Sequence, residues 1–290
     1  MELDTIICGD NAAVMATWPD ACIDLVVTSP PYDDLRTYGG HSWDFPAVAM
    51  ELTRILKPGG VIVWVVGDAT VDGSETLTSM KQAIHFREVC GLNVWDTMIY
   101  RTNKPPQSGR RYDPCWEYMF CFSLGAPKTF NPLREPTLAP GVMNSGGMRR
   151  TDAKMKPRTC IGRTGDDRLR ENIWYLPRSP ASGGKERLEH PATFPDELAA
   201  DHILSWSNPG DVVLDPFAGS GTTLKMAKEH GRRWIGIEVN PAYVEICWKR
   251  VAQGVLPLVP NISIREIDEQ ANSELGRSRP PNTGGEGSEE

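Results

Sequence analysis

Two periodicities alternate along the first part of the chain. Thr5-Ile6-Ile7-Cys8 and Asp24-Leu25-Val26-Val27-Thr28 are short apolar runs bounded by turn residues, which predicts buried strands. From Asp44 to Leu56 the apolar positions Phe45, Val48, Leu52, Ile55 and Leu56 fall on one face of a 3.6-residue repeat. This predicts a helix, stopped by Lys57-Pro58-Gly59-Gly60. Val61-Ile62-Val63-Trp64-Val65-Val66 is apolar at every position, the pattern of a strand covered on both faces. Further strands are expected over Leu92–Tyr100 and Trp116–Phe122.

Between Ser123 and Glu189 the periodicity vanishes. Pro127, Pro132, Pro136, Pro140, Gly141, Gly146, Gly147 and Pro157 interrupt every candidate element, so a loop-rich insertion is expected. Regular signals resume at Pro195: a helix to Trp206, a strand Val212-Val213-Leu214, a helix from Gly221 to His230, a strand Trp234-Ile235-Gly236-Ile237 and a helix from Asn240. Strands alternating with helices predict an α/β fold with a doubly wound, mostly parallel sheet. From Asp268 onward Ser, Gly, Pro and Glu dominate, and a chain so poor in apolar side chains cannot offset the entropy lost on ordering. The expected divisions are 1–123, the insertion 124–189, 190–265 and a disordered acidic tail 266–290.

The formal net charge of −7 argues against a polyanionic partner until it is divided along the chain. From Glu266 to the end, seven acids face only Arg277 and Arg279, so most of the negative charge sits in the tail. Between Arg101 and Glu189, 17 Lys and Arg stand against 9 Asp and Glu. A basic excess in a Gly- and Pro-punctuated segment suits a phosphate-tracking surface, with Arg149, Arg150, Lys154, Lys156 and Arg158 as its candidates. The seven cysteines form no Cys-x-x-Cys pair, and the five histidines show no ligand spacing; neither a disulfide framework nor a metal site is expected. With no secretory signal and no long apolar run, a cytoplasmic chain without membrane contact is the expectation.

Two segments carry candidate chemistry. In Val212-Val213-Leu214-Asp215-Pro216-Phe217-Ala218-Gly219-Ser220-Gly221-Thr222-Thr223, an apolar strand ends in an acid and a Gly-rich turn opens a helix. Glycines permit positive φ and close approach of a ligand, and the free N–H groups of a helix start form a positive end. About twenty residues on, a second strand ends in Glu238, the spacing that ribose-hydroxyl recognition requires in a doubly wound sheet. The phosphate-binding P-loop is excluded, because its Gly-Lys-Ser/Thr ending is missing. An adenosine-bearing cofactor is the better fit. The second segment is Thr28-Ser29-Pro30-Pro31-Tyr32, again at a strand exit. Its prolines hold the backbone extended and donate no hydrogen bond. The Ser29 hydroxyl and Pro30 carbonyl can then both accept from one NH₂ group, beside the flat ring of Tyr32.

Together these segments resemble the amino-group DNA methyltransferases. Ser29-Pro30-Pro31-Tyr32 is similar to their catalytic (Asp/Asn/Ser)-Pro-Pro-(Tyr/Phe) tetrapeptide, and Asp215 to Gly221 to their cofactor loop. The catalytic tetrapeptide comes first and the cofactor loop last, as in the permuted β group. Cys8-Gly9-Asp10 and His190-Pro191-Ala192-Thr193-Phe194-Pro195 resemble two further segments of that group. The resemblance implies a Rossmann-like, S-adenosylmethionine-dependent methyltransferase fold, with the insertion as target-recognition region. It implies cofactor contacts from Asp10, Thr193, Asp215, Phe217, Ala218, Gly219, Ser220, Gly221, Thr222, Glu238 and Asn240. It also implies methylation of a flipped base in duplex DNA, with a second copy of the chain and a cognate restriction endonuclease as further candidate partners. Ser at the first motif position is commoner among cytosine-N4 enzymes, which favours cytosine over adenine N6.

Other readings carry distinct signatures. A non-catalytic DNA-binding protein has no need of Ser29, Tyr32, Asp215 and Glu238 together. RNA and protein methyltransferases share Pro-Pro-Tyr motifs but not the permuted order with a long basic insertion. Pro114-Cys115 matches the nucleophile dipeptide of cytosine carbon-5 methyltransferases, yet it leads into an apolar strand, and a buried cysteine is expected there. Trp174 and Tyr175, beside Arg170 and Arg178, are candidates to stack on a displaced base.

Overall fold

The structure is a computed structural model, and it describes residues 1–31, 43–102, 111–137, 148–151, 154–157, 165–176 and 194–252. The described elements belong to one compact unit, Met1–Ala252; the acidic tail lies outside the described residues. The first strands and helices are β1 (Thr5–Cys8), α1 (Asn11–Met15), β2 (Ile23–Thr28), α2 (Phe45–Ile55) and β3 (Leu56–Val66). A small hairpin of β4 (Thr70–Val71) and β5 (Ser74–Glu75) leads to α3 (Thr78–Glu88), β6 (Asn93–Arg101) and β7 (Trp116–Ser123). Five short strands follow: β8 (Arg134–Pro136), β9 (Met148–Thr151), β10 (Lys154–Pro157), β11 (Asp167–Leu169) and β12 (Ile173–Tyr175). The chain then forms α4 (Asp196–Trp206), β13 (Val212–Asp215), α5 (Thr222–Glu229), β14 (Arg233–Glu238) and α6 (Pro241–Ala252).

Eight strands form one sheet in the order β1-β14-β13-β2-β3-β7-β6-β12, with β7 antiparallel to both of its neighbours and every other pairing parallel. Successive side chains of a strand point to opposite faces. Leu25, Val27, Val61, Val63 and Val65 therefore join one core, with Leu198 and Ile203 of α4, Leu224 of α5 and Cys247 of α6. Val26, Ile62, Trp64 and Val66 join the other, with Met15 of α1, Leu52 and Ile55 of α2, and Phe86 of α3. Helices on both faces explain why the central strands are apolar at every position. The α/β, doubly wound expectation matches this architecture.

Among the elements that the hydrophobic pattern missed are α3 and β12. The buried face of α3 is Ser79, Gln82 and Phe86, so polar residues hide its period; Gln82 is satisfied in the core by accepting a 2.8 Å hydrogen bond from the Trp64 indole. Strand β12 is three residues inside the stretch expected to be loop, and it pairs with β6 and closes one edge of the sheet. A further difference concerns Lys57-Pro58-Gly59-Gly60. It ends α2 as expected, but these residues already belong to β3.

Candidate active site

Because β1, β2, β13 and β14 run parallel, Asp10, Ser29, Asp215 and Glu238 all lie at one edge of the sheet, at the strands' carboxyl ends. Open α/β sheets bind ligands at that edge. Between β13 and α5 the backbone turns with Gly219 at φ 51° and Gly221 at φ 83°. At Gly221 a side chain is excluded twice, since a Cβ there would sit 2.5 Å from Cys247 Sγ. Glu238 holds this turn from β14: one carboxylate oxygen accepts from Gly219 N–H at 2.9 Å and the other from Asn240 N–H at 2.9 Å. A carboxylate oxygen accepts more than one hydrogen bond, the chemistry that ribose-hydroxyl recognition uses. The first turn of α5 has no side-chain cap, and Thr222 Oγ1 is buried without a hydrogen-bond partner. An orphaned hydroxyl beside uncapped helix N–H groups fits a polar or anionic ligand group. From behind, Arg250 donates to Ser220 Oγ at 2.9 Å and pairs with Asp196.

Asp215 has a different place from Glu238. It is 2% exposed, and one oxygen accepts from Thr28 Oγ1 at 2.6 Å and from Phe217 N–H at 3.0 Å. Burial, the dominant cause, pushes its carboxyl up to about 6, against the lowering effect of these donors. Asp215 therefore braces the loop from beneath. The same bond ties the cofactor-type loop to the second motif, because Thr28 ends β2 and Ser29 follows it. Thr223 Oγ1 adds a buried 3.1 Å bond to the Val27 carbonyl. Ser29 and Pro31 are half-buried, and Pro30 is buried.

Asp10 is exposed and caps α1, accepting from Ala13 N–H at 2.8 Å. Its neighbour Asn11 donates to the Pro216 carbonyl at 3.1 Å, which anchors the start of α1 to the Gly-rich turn. Phe217 packs edge-on against Trp43 at 4.9 Å and reaches Trp64 at 6.2 Å, so an aromatic wall stands beside the turn. Ala218 is buried, and its N–H donates to the Ile237 carbonyl.

Tyr32, Thr193 and Arg158 lie outside the described residues. Arg149, Arg150, Lys154 and Lys156 fall on the β9–β10 hairpin, where Arg149 is the register partner of Lys156. The aromatic pair after the insertion divides. Trp174 is 5% exposed, stacked on His202 at 4.5 Å, and so is a core residue; Tyr175 is 56% exposed. Cys115 is half-buried, where full burial was expected. Asn11, Thr28, Thr223 and Arg250 had no assigned role, since each acts on a partner far away in sequence. Among the described residues no group of three His, Cys, Asp or Glu side chains is arranged to hold a metal ion.

The family model of N6/N4 DNA methylases matches residues 23–249. The chain is 45% identical over 244 residues to the orphan methyltransferase M.BamHII of Bacillus amyloliquefaciens, covering 82% of this chain and 91% of that one. Among solved structures, the cytosine-N4-specific PvuII DNA methyltransferase superimposes with a TM-score of 0.63 at 22% identity, over 94% of this chain and 92% of that one. TTHA0409 of Thermus thermophilus, complexed with S-adenosyl-L-methionine, gives a TM-score of 0.57 at 27% identity, over 86% and 95%.

Proposed function

This chain belongs to the N6/N4 DNA methylase family, and on that premise we propose that it methylates N4 of a cytosine flipped out of duplex DNA. The observation that carries the proposal is the 2.6 Å bond from Thr28 to Asp215, which makes the Ser29-Pro30-Pro31 exit and the Gly-rich turn one rigid unit. S-adenosylmethionine is the cofactor. Glu238, Asp10, Asn240 and the Phe217–Thr222 backbone hold it, and the orphaned Thr222 hydroxyl gives one of its polar groups a partner. When bound, it supplies a methyl group on a sulfonium, an electrophile with an excellent leaving group.

The chain's own residues then prepare the nucleophile. An exocyclic amino nitrogen is a poor nucleophile because its lone pair is delocalised into the ring. Ser29 Oγ and the Pro30 carbonyl each accept one amino hydrogen, which favours a pyramidal nitrogen with its lone pair free. Fixing that group where Asp215 fixes the loop is catalysis by placement. Pro30 and Pro31 lack N–H groups and so offer the base no competing donor. Tyr32 takes the flat face of the flipped base. The product ammonium is acidic enough to lose its proton to water, so no strong general base is required.

Duplex recognition falls to residues 124–189. Register sets Arg149 opposite Lys156, and phosphates are the proposed partners of these two basic residues. Arg150 and Lys154 lie on the same two strands, and Arg158 is proposed as a further phosphate contact. Ser29 supports cytosine on the family pattern, but the adenine amino group offers the same two hydrogens. Mass spectrometry of nucleosides from cells expressing the chain tests the choice: N4-methylcytosine is expected. N6-methyladenine would overturn the base alone, and unmodified DNA would overturn the activity.

A further inference from the structure

At the far end of the sheet from the Gly-rich turn, Tyr175 closes β12 with more than half its surface in water. The Arg101 guanidinium lies over its ring, 5.5 Å from the centroid. Register pairs Tyr175 with Arg101, and Arg101 with Trp116, which is 45% exposed. Directly paired residues share a face of a sheet, so two exposed aromatics flank one cation across three strands. Trp116 is braced from the inside: it meets Tyr118 edge-on at 4.8 Å, and Tyr118 stacks on Phe120 at 4.8 Å.

A second arginine in this region shows what an already occupied cation looks like. Arg170 covers Trp174 at 4.5 Å, but it is paired with Asp201 at 2.5 Å and its Trp174 is buried. Arg101 is exposed, and among the described residues it forms no ion pair with a carboxylate. A cation between accessible rings matches a nucleic-acid strand, which offers a phosphate beside the flat face of a base.

We propose that Tyr175, Arg101 and Trp116 form a second DNA contact, gripping the strand that flanks the target nucleotide. Arg101 takes a phosphate, and the two rings take base or sugar faces. This rests on the proposed function. Trp116 lies two strands and Tyr175 four strands from β2, both at a level about three residues beyond Ser29, which places them about 14 Å and about 22 Å from it at about 4.8 Å per strand and about 3.3 Å per residue. At about 3.4 Å per nucleotide step, that corresponds to about four to six nucleotides from the flipped base.

The test is fluorescence anisotropy of a short labelled oligothymidylate with wild type, Tyr175→Ala, Trp116→Ala and Arg101→Gln, over a series of salt concentrations. The two ring variants should each weaken binding about fivefold to a hundredfold without changing the salt dependence. Arg101→Gln should instead flatten the slope of log affinity against log salt by about 0.7, the loss of one phosphate contact on a single strand. Melting temperature and S-adenosylmethionine affinity should not move, because all three side chains lie outside the cores. If all variants bind within twofold of wild type while wild type still methylates DNA, this surface is wrong and the proposed function stands. If wild type neither binds nor methylates DNA, both fall together.

Discussion

At the β1–β14–β13 end of the sheet, the acids at or just past the strand ends are already hydrogen-bonded within the protein. Glu238 holds Gly219 and Asn240, Asp215 holds Phe217 and Thr28, and Asp10 holds Ala13. At the β7–β6–β12 end, Trp116, Arg101 and Tyr175 stand in water. The nearby β8–β11 hairpin is stitched by exposed ion pairs, Arg134 with Asp167 and Arg168 with Glu135. Exposed pairs of this kind contribute little to stability. On the proposed function, the contrast follows from the ligands. A small cofactor of constant shape rewards a site whose donors and acceptors are fixed in advance, since no ordering cost falls on binding. A long polyanion is met by exposed cations and rings distributed over a surface.

The comparison breaks most sharply at Ser29. Ser29→Ala should lose about a hundredfold or more in turnover while keeping S-adenosylmethionine affinity, because it removes an acceptor for the amino group and no cofactor contact. Stopped turnover with equally lost cofactor binding would show that Ser29 belongs to the prearranged end. Neutralising Arg149, Arg150, Lys154 and Lys156 together probes the other end. If all four meet phosphates, the salt slope of duplex binding should flatten by about three to four units, with cofactor affinity intact. An unaltered slope would move the duplex surface off this hairpin.

Asp215→Asn tests how much the prearrangement costs. Burial raises the Asp215 carboxyl from 3.8 to about 6 in the folded chain, so the folded state holds a proton that the unfolded state releases between those values. The contribution of Asp215 to stability is therefore greatest below pH 4 and is lost as pH rises through about 6. Asparagine accepts the same two hydrogen bonds without a charge. Relative to Asp215→Asn, wild type should lose on the order of 3 kcal/mol between pH 4 and pH 7 in urea unfolding. A difference independent of pH would deny the shift.

The smallest expected effect is at Thr28. Thr28→Val keeps the shape and removes the hydroxyl, so about tenfold should be lost from turnover, with Thr28→Ser restoring it. The lost donor had favoured the charged carboxylate. Its removal should therefore move the acid limb of the rate profile to higher pH. Of the groups facing Asp215, Glu238 raises its carboxyl further by its charge, and Cys247, pushed up to about 12 by burial, stays neutral over this range. Unchanged turnover with an unchanged limb would make the bond structural only.

Much of the fold was legible because it is written in consecutive residues. Val61 to Val66 admits only a strand covered on both faces, and Asp215 to Thr223 only a tight turn into a helix. The N-cap Asp44 acts within three residues of itself. Such signals depend on local backbone geometry and survive without knowledge of the partner. Tertiary structure decided the rest. The Thr28–Asp215 bond joins residues 187 positions apart, and nothing near either one announces it. Three residues of β12 read as loop until β6 supplies their hydrogen bonds. Trp174 and Tyr175 are adjacent aromatics beside basic residues, equal in the sequence. Their strand turns one into the core against His202 and the other into water beside Arg101, because alternate positions of a strand face opposite ways and only pairing sets which way is in.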